Sequence, residues 1–245
     1  MDAAYDSIGR TYTATRAEDP RIARRLHAAL GDARTVVNVG AGTGHYEPRD
    51  RWVLAVEPST TMIAQRPPDA APVLQAGAER LPLADGTVDA ALAALTIHHW
   101  ADWRAGVAEM LRVTRRRVVI WTFDPEALES LWLARDYLPE TIEVERARTP
   151  PIADLVDALG GARVEPVPIP RDCRDGVAAA FFARPERYLD PLVRAGMSSF
   201  VNLDTEAALR RLESDLSSGA WDERYGHLRT LPELDAGYRL VVAER

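Results

Sequence analysis

The run Val36-Val37-Asn38-Val39-Gly40-Ala41-Gly42-Thr43-Gly44 decides the fold. With Thr35 it begins as a short β-branched stretch, the composition of a strand, and it stops at glycines spaced G-x-G-x-G. Glycine lets the backbone turn sharply and lets a ligand approach with no Cβ in the way. Parallel sheets bind ligands at the carboxyl ends of their strands, so this first loop also decides what kind of molecule sits there.

Upstream of it, residues 19–30 read as a helix. Asp19 can cap it, Pro20 suits the first turn, Ile22, Leu26 and Leu30 share one face, and Gly31 ends it. Downstream, Trp52-Val53-Leu54-Ala55-Val56 is a second strand closed by Glu57, and Val73-Leu74-Gln75 a weak third. Val88 to Leu95, apolar apart from Asp89, reads as a strand buried on both faces. Val107, Met110 and Leu111 give residues 105–114 helical spacing, and Val118-Val119-Ile120-Trp121 form a fifth strand. Between them Arg115-Arg116-Arg117, the densest basic run, reads as a solvated turn. Ile152, Leu155, Val156 and Leu159 make a short helix face closed by Gly160-Gly161. Val164 to Ile169, interrupted by Pro166 and Pro168, fits a strand near a sheet edge. Residues from Arg171 to about Ala236 look helical, and Tyr238-Arg239-Leu240-Val241-Val242 is a closing strand. Strands alternating with helices predict an α/β, doubly wound, mostly parallel sheet of seven strands, in a single domain over residues 1–245.

The glycine spacing differs from the G-x-G-x-x-G of dinucleotide folds, because position 45 is His. Glu57, at the end of the second strand, is placed to accept hydrogen bonds from two ribose hydroxyls. A dinucleotide site would want that acid too, so the spacing is what discriminates.

On these residues the chain resembles a class I S-adenosylmethionine-dependent methyltransferase, of the branch that includes ubiquinone- and menaquinone-biosynthesis-like enzymes. The matches run in order over roughly residues 5 to 122: the glycine loop, Val56-Glu57-Pro58-Ser59 with Met62, Ala78-Glu79-Arg80-Leu81-Pro82-Leu83 with Asp85 and Val88-Asp89, Leu95-Thr96-Ile97-His98-His99-Trp100, and Glu109-Met110-Leu111-Arg112-Val113. The resemblance implies a Rossmann-like methyltransferase fold with its cofactor half at 1–122. It implies S-adenosylmethionine as cofactor, with Gly40, Gly42 and Gly44 under its methionine and ribose parts and Glu57 on the ribose. Pro58 and Met62 border the adenine, Ala78 and Glu79 lie near its polar edge, and Leu95 to His98 line the methionine amino group and sulfonium. Tyr12 and Arg16 resemble a segment that closes over the cofactor, where an Arg suits the methionine carboxylate. Two departures matter: Asn38 stands where an acidic residue is usual, and Gly77 where an Asp often precedes Ala78.

Methyl transfer from a sulfonium is an in-line displacement, so positioning and a dry pocket dominate. His98 and His99 end the fourth strand and are the candidate bases, although adjacent residues cannot both face one pocket. Segments 123–148 and 171–236 are read as helical insertions that cap the acceptor. Within them Tyr137, Asp172, Asp175 and His227 are candidate acceptor contacts, with Tyr225 a further one, and Cys173 a small core or pocket residue. Asp172 and Asp175 equally suit helix caps.

Composition narrows the partners. Hydrophobic residues are 47% and charged residues 27% of the 245, an ordinary globular balance. A net charge of −7 argues against a grip on nucleic acid. All 30 basic residues are Arg, which removes Schiff-base and P-loop lysine chemistry. The single Cys173 removes an intramolecular disulfide and any cysteine-based zinc site, and no metal is expected. No apolar leader and no stretch of about 18 apolar residues is visible, so a cytoplasmic protein without a membrane partner is expected. The chain therefore reads as a methyltransferase acting on a small organic acceptor, at oxygen or carbon. The acceptor stays open between a hydroxyl, a carboxylate, a quinone-like ring carbon and a peptide terminus. A cofactor-binding protein without catalysis and a nicotinamide-dependent oxidoreductase are the alternatives.

Overall fold

The computed structural model describes residues 16–197, 200 and 203–245. A seven-stranded sheet runs through it in the order β3-β2-β1-β4-β5-β9-β6. The strands are β1 (Thr35–Val39), β2 (Trp52–Val56), β3 (Val73–Leu74), β4 (Val88–Ala94), β5 (Thr114–Phe123), β6 (Arg163–Pro166) and β9 (Tyr238–Glu244). Strands β1 to β5 pair in parallel, while β9 is antiparallel to both β5 and β6. The order reverses between β1 and β4, which opens a crevice at the ends of those strands.

Side chains alternate across a strand, and here the alternation sorts the core into two layers. Val36, Val53, Leu92, Val119 and Leu240 face helix α1 (Pro20–Ala29), whose Ile22, Ala23 and Leu26 are buried. Val37, Val39, Ala91, Val118 and Val241 face the other way, onto Val107 and Met110 of α3 (Trp103–Val113). Leu155 of α5 (Ile152–Ala158) and Leu159 complete that second layer. Both faces are covered, as a parallel sheet requires. Capping matches the sequence reading at α1, where Asp19 accepts from the Arg21 amide at 2.9 Å and Pro20 opens the helix. Asp102 caps α3, and Ser59 caps α2 (Thr60–Ala64) by accepting from Met62 N at 3.2 Å.

Three expectations change. Arg115-Arg116-Arg117 is not a turn: β5 starts at Thr114 directly after α3. Each arginine meets a carboxylate brought in from elsewhere, Asp89 at 2.8 Å, Asp32 at 2.8 Å and Glu244 at 2.7 Å. Such exposed pairs contribute about 0–1 kcal/mol each, so pairing of the strand with β9 decides the conformation and the charges accompany it. The stretch 164–169 is likewise not one strand. β6 forms the sheet edge and stops at Pro166, and β7 (Ile169–Pro170) pairs instead with β8 (Glu233–Leu234) in a separate two-stranded sheet. The region from 171 to 236 is less helical than its composition suggests, with turns and 3₁₀ segments before α6 (Pro191–Ala195), α7 (Glu206–Ser218) and α8 (Ala220–Tyr225).

The β7–β8 pair closes the base of this insertion. The first insertion carries α4 (Glu140–Arg148), and the two meet around Trp132, whose indole N–H donates to Phe182 O at 2.9 Å. Tyr188 and Trp221 pack edge-on to its ring at 5.7 and 5.2 Å. Among the described residues no helix is long and apolar enough to cross a membrane.

Candidate functional site: a glycine-lipped cavity at the strand ends

A cavity of about 520 Å³ opens where β1, β2 and β4 end. Its floor is the glycine loop. Gly40 N and Ala41 N both donate to Val56 O, at 2.8 and 3.0 Å, which ties the loop to the end of β2. Gly40 has φ +67°, and a Cβ there would lie 2.8 Å from Thr96 Cβ, so only glycine fits.

Glu57 is buried at the cavity wall. One carboxylate oxygen accepts from Gly42 N at 2.8 Å and the other from Ser59 N at 2.9 Å. Each oxygen keeps lone-pair capacity, so the group can also accept from two adjacent hydroxyls. Pro58 and Met62 border the same wall, with Ala78 and Glu79 across from them. Glu79 Oε1 accepts from Ala101 N at 2.9 Å, and a Cβ on Gly77 would lie 2.9 Å from Glu79 Oε2. Glu79 thus reaches into the space that a side chain at position 77 would take. Leu95 turns the chain at the end of β4 with φ +52°, a strained value for a branched residue, and its amide donates to Trp121 O at 2.8 Å.

Of the residues singled out from sequence, Arg16, Gly40, Gly42, Glu57, Pro58, Met62, Ala78, Glu79, Leu95 and His99 line this one cavity. Tyr12 lies outside the described residues. Asn38 and Gly44 are placed elsewhere. Asn38 is buried, donates through Nδ2 to Glu47 Oε1 at 3.2 Å, and does not line the cavity. Gly44 donates to Ala41 O at 2.9 Å, so the chain has already reversed there and Gly44 lines a surface groove behind the loop. Glu47 is itself clasped by Arg66 at 2.8 Å, a buried pair that supports the loop from below. Sequence reading missed Glu47, whose partners are dispersed, and it missed His45, Tyr46, Trp100 and Trp121 as lining residues.

His98 and His99 part company. His99 borders the large cavity, and His98 borders a smaller chamber beside it. Their rings lie 4.0 Å apart, and His98 also meets Phe123 edge-on at 5.3 Å. Burial, with Arg148 and Arg16 nearby, pushes His99 down to about 3. Burial and the neighbouring His99 hold His98 well below the usual imidazole range. Neither titrates near neutrality as an ordinary imidazole would; both are neutral there.

The acceptor candidates scatter. Tyr137 donates to Asp215 at 2.6 Å and belongs to the aromatic core of the insertions, and it lines neither of these two cavities. Asp172 is exposed and pairs with Arg21 at 2.7 Å, and His227 is an exposed residue of the 3₁₀ turn Gly226–Thr230. Tyr225 is tied up with Asp136 and Arg135. Asp175 is fully buried and touches the site only through others: it accepts from Arg16 and, at 2.9 Å, from the Tyr46 hydroxyl. Cys173 is a buried core thiol, pushed up to about 12 by its burial and by Asp175. Among the described residues no group of His, Cys, Asp and Glu could hold a metal ion.

The donor set suits a nucleoside bearing an amino acid: a carboxylate for vicinal hydroxyls, apolar walls for a base, and an arginine for a carboxylate. Known proteins agree. The model of a methyltransferase domain family matches residues 37–122. A demethylmenaquinone methyltransferase of Corynebacterium urealyticum is 31% identical over 124 residues, 45% of this chain and 53% of that protein. One of Mycolicibacterium gilvum is 30% identical over 49% of this chain and 58% of its own, so the chain spans little more than half the length of these curated relatives. A protein from Anabaena variabilis, described as a methyltransferase of an antibiotic biosynthesis pathway, is 33% identical. It superposes with a TM-score of 0.87 over 94% of this chain and 98% of its own. Geranyl diphosphate C-methyltransferase of Streptomyces coelicolor, at 17% identity and a TM-score of 0.51, shares the fold. With its seven-stranded sheet, its glycine loop and this whole-length relative, the chain belongs to the class I S-adenosylmethionine-dependent methyltransferases.

Proposed function

We propose that this chain transfers the methyl group of S-adenosylmethionine to oxygen or carbon of a small organic acceptor. The observation that carries the reading is the adjacency of two spaces: beside the cavity at the glycine loop lies a small chamber, and Arg16 and Leu95 line both. When bound, the sulfonium cofactor supplies the activated methyl and its own leaving group, so the protein supplies orientation and exclusion of water.

Individual roles follow from position. Glu57 holds the ribose, and Gly40 and Gly42 admit the ligand against bare backbone. Met62, Pro58 and Ala78 bracket the base, Glu79 reaches its polar edge, and Arg16 takes the carboxylate. Tyr12 is assigned to the same closing segment on sequence alone. The two insertions, 123–148 and 171–236, form the acceptor side of the site. His99 and His98, both neutral, serve as hydrogen-bonding groups at the methyl-transfer end and accept a proton only from a group made strongly acidic as the new bond forms. The acidic balance of −7 supports an enzyme that works without a nucleic-acid partner.

A cofactor-binding protein without catalysis was suggested by Asn38 and Gly77. Glu47 partners the first and Glu79 fills the space of the second, so neither departure supports that alternative. Calorimetric titration of S-adenosylmethionine, S-adenosylhomocysteine and NADH tests the cofactor, and release of S-adenosylhomocysteine across a panel of hydroxyl, carboxylate and carbon acceptors tests the activity. Binding of NADH alone, or cofactor binding with no turnover on any acceptor class, would defeat the proposal.

A further inference from the structure

The smaller chamber, of about 50 Å³, is lined by His98, Phe123, Glu145, Val177, Met197 and Tyr238 among others. The sheet supplies one side, through the ends of β4 and β5 and the start of β9. The insertions supply the other, with Glu145 from α4 and Val177 and Met197 from the second insertion. A water needs roughly 10–15 Å³ of such space, so the chamber admits one small group or the edge of a ring.

Two features define its chemistry. First, its walls are rings: His98 meets Phe123 at 5.3 Å and Phe123 meets Tyr238 at 6.3 Å, each at an interplanar angle of 61°. Edge-to-face walls of this kind favour another flat ring. Second, the ionised groups at its border are matched already, Arg16 with the buried Asp175 and with the cofactor carboxylate assigned to it, and Glu145 with Arg148 at 2.7 Å. A carboxylate or ammonium entering here would lose its water without gaining an unmatched partner, which is costly. The polar feature that remains is His98, more than nine-tenths buried, with Nδ1 lacking any hydrogen-bond partner. A neutral imidazole offers one donor and one acceptor, which suits a hydroxyl.

We infer that this chamber is the acceptor subsite and that it takes the hydroxyl-bearing edge of the reacting ring of an uncharged phenol or enol, with His98 as the hydrogen-bonding contact to its hydroxyl. Carboxylates and amines, peptide termini included, do not fit it. The inference rests on the reading of the larger cavity as the cofactor's.

The methionines give a test of both at once. Met62 lines the cofactor cavity, Met197 lines the chamber, and Met110 is wholly buried in the core. In protein labelled at the methionine methyl carbons, with signals assigned by Met62→Leu and Met197→Leu, S-adenosylhomocysteine should shift Met62 and leave Met110 in place. In the saturated complex, phenol should then shift Met197, with benzoate and benzylamine at least tenfold weaker. In His98→Phe, which keeps a ring against Phe123, phenol should lose its advantage over toluene. A Met62 signal that ignores S-adenosylhomocysteine removes the cofactor reading and the inference with it. A Met62 that responds while Met197 ignores phenol, or responds equally to benzoate, overturns the inference alone. An unchanged phenol preference in His98→Phe overturns the role of His98.

Discussion

Gly42→Val separates two reasons for a glycine in the same loop. At Gly40 a side chain would collide with the protein itself, since the Cβ would sit 2.8 Å from Thr96 Cβ. At Gly42 the nearest atom to an added Cβ is Met62 Cε at 3.2 Å, the flexible tip of a side chain that can move, and the position borders the cavity. The remaining cost to folding is backbone strain: Gly42 has φ +52°, and a β-branched residue held there loses about 1–3 kcal/mol. For a chain of this length that lowers Tm by roughly 2–12 °C and leaves a folded protein. The valine methyls, however, project into the space that the ligand must occupy, so affinity for S-adenosylhomocysteine should fall at least a hundredfold, about 2.7 kcal/mol. Calorimetry reads the affinity and a thermal scan reads the fold. Gly40→Ala is the contrast, losing binding only together with a larger loss of stability. A folded Gly42→Val that binds with wild-type affinity would refute the assignment of the cavity.

Three further outcomes follow from the same geometry. Glu57→Gln turns one acceptor toward Gly42 N or Ser59 N into a donor, so calorimetry should show S-adenosylhomocysteine binding weakened by about 1–3 kcal/mol; unchanged affinity would move the ribose elsewhere. His98 and His99 are held neutral in the fold, while the unfolded chain takes up protons at the ordinary value of about 6.5, so their contribution is complete above that pH and is lost below it, down to about 3 for His99. Between pH 7.5 and 5.5 the depressed His99 should cost about 1.4 kcal/mol in urea melts, with His98 acting in the same direction, and His99→Gln should remove its part of that dependence; an unaltered slope rejects the assignment. Asn38→Asp, which restores the usual acid, sets a second carboxylate against Glu47, which one guanidinium, that of Arg66, already holds, and should destabilise by about 1–3 kcal/mol unless Glu47→Gln accompanies it.

How much could be read beforehand depends on how local the physics is. The strand Thr35–Val39, its glycine turn and Glu57 were legible because a β-branched run, a positive φ and a strand-end carboxylate each need only neighbouring residues. Arg115-Arg116-Arg117 was misread because their partners Asp89, Asp32 and Glu244 come from three other parts of the chain. Asp175 looked like a helix cap or a substrate contact, and its actual partners Arg16 and Tyr46 lie 159 and 129 residues away. The histidine pair was half legible: adjacency alone said that both could not face one space, but only the turn at Leu95 shows that each has its own.

The departures from the family pattern make the same point in reverse. Read position by position, Asn38 loses a charge and Gly77 loses a contact. Read in the fold, Asn38 donates to Glu47, which an aspartate could not do, and Arg66 holds Glu47 while also donating to Gly42 O at 3.1 Å. The charge missing from β1 has moved nine residues along the chain and still bears on the glycine loop, now from beneath. Gly77 in turn leaves room for Glu79, whose other oxygen is fixed by Ala101 N. At position 38 the loss is matched by a carboxylate nine residues along the chain, whereas at position 77 the glycine leaves room for Glu79, an acid that already belongs to the resembled motif. The paired variants at positions 38 and 47 measure whether the placement of that charge is what the loop depends on.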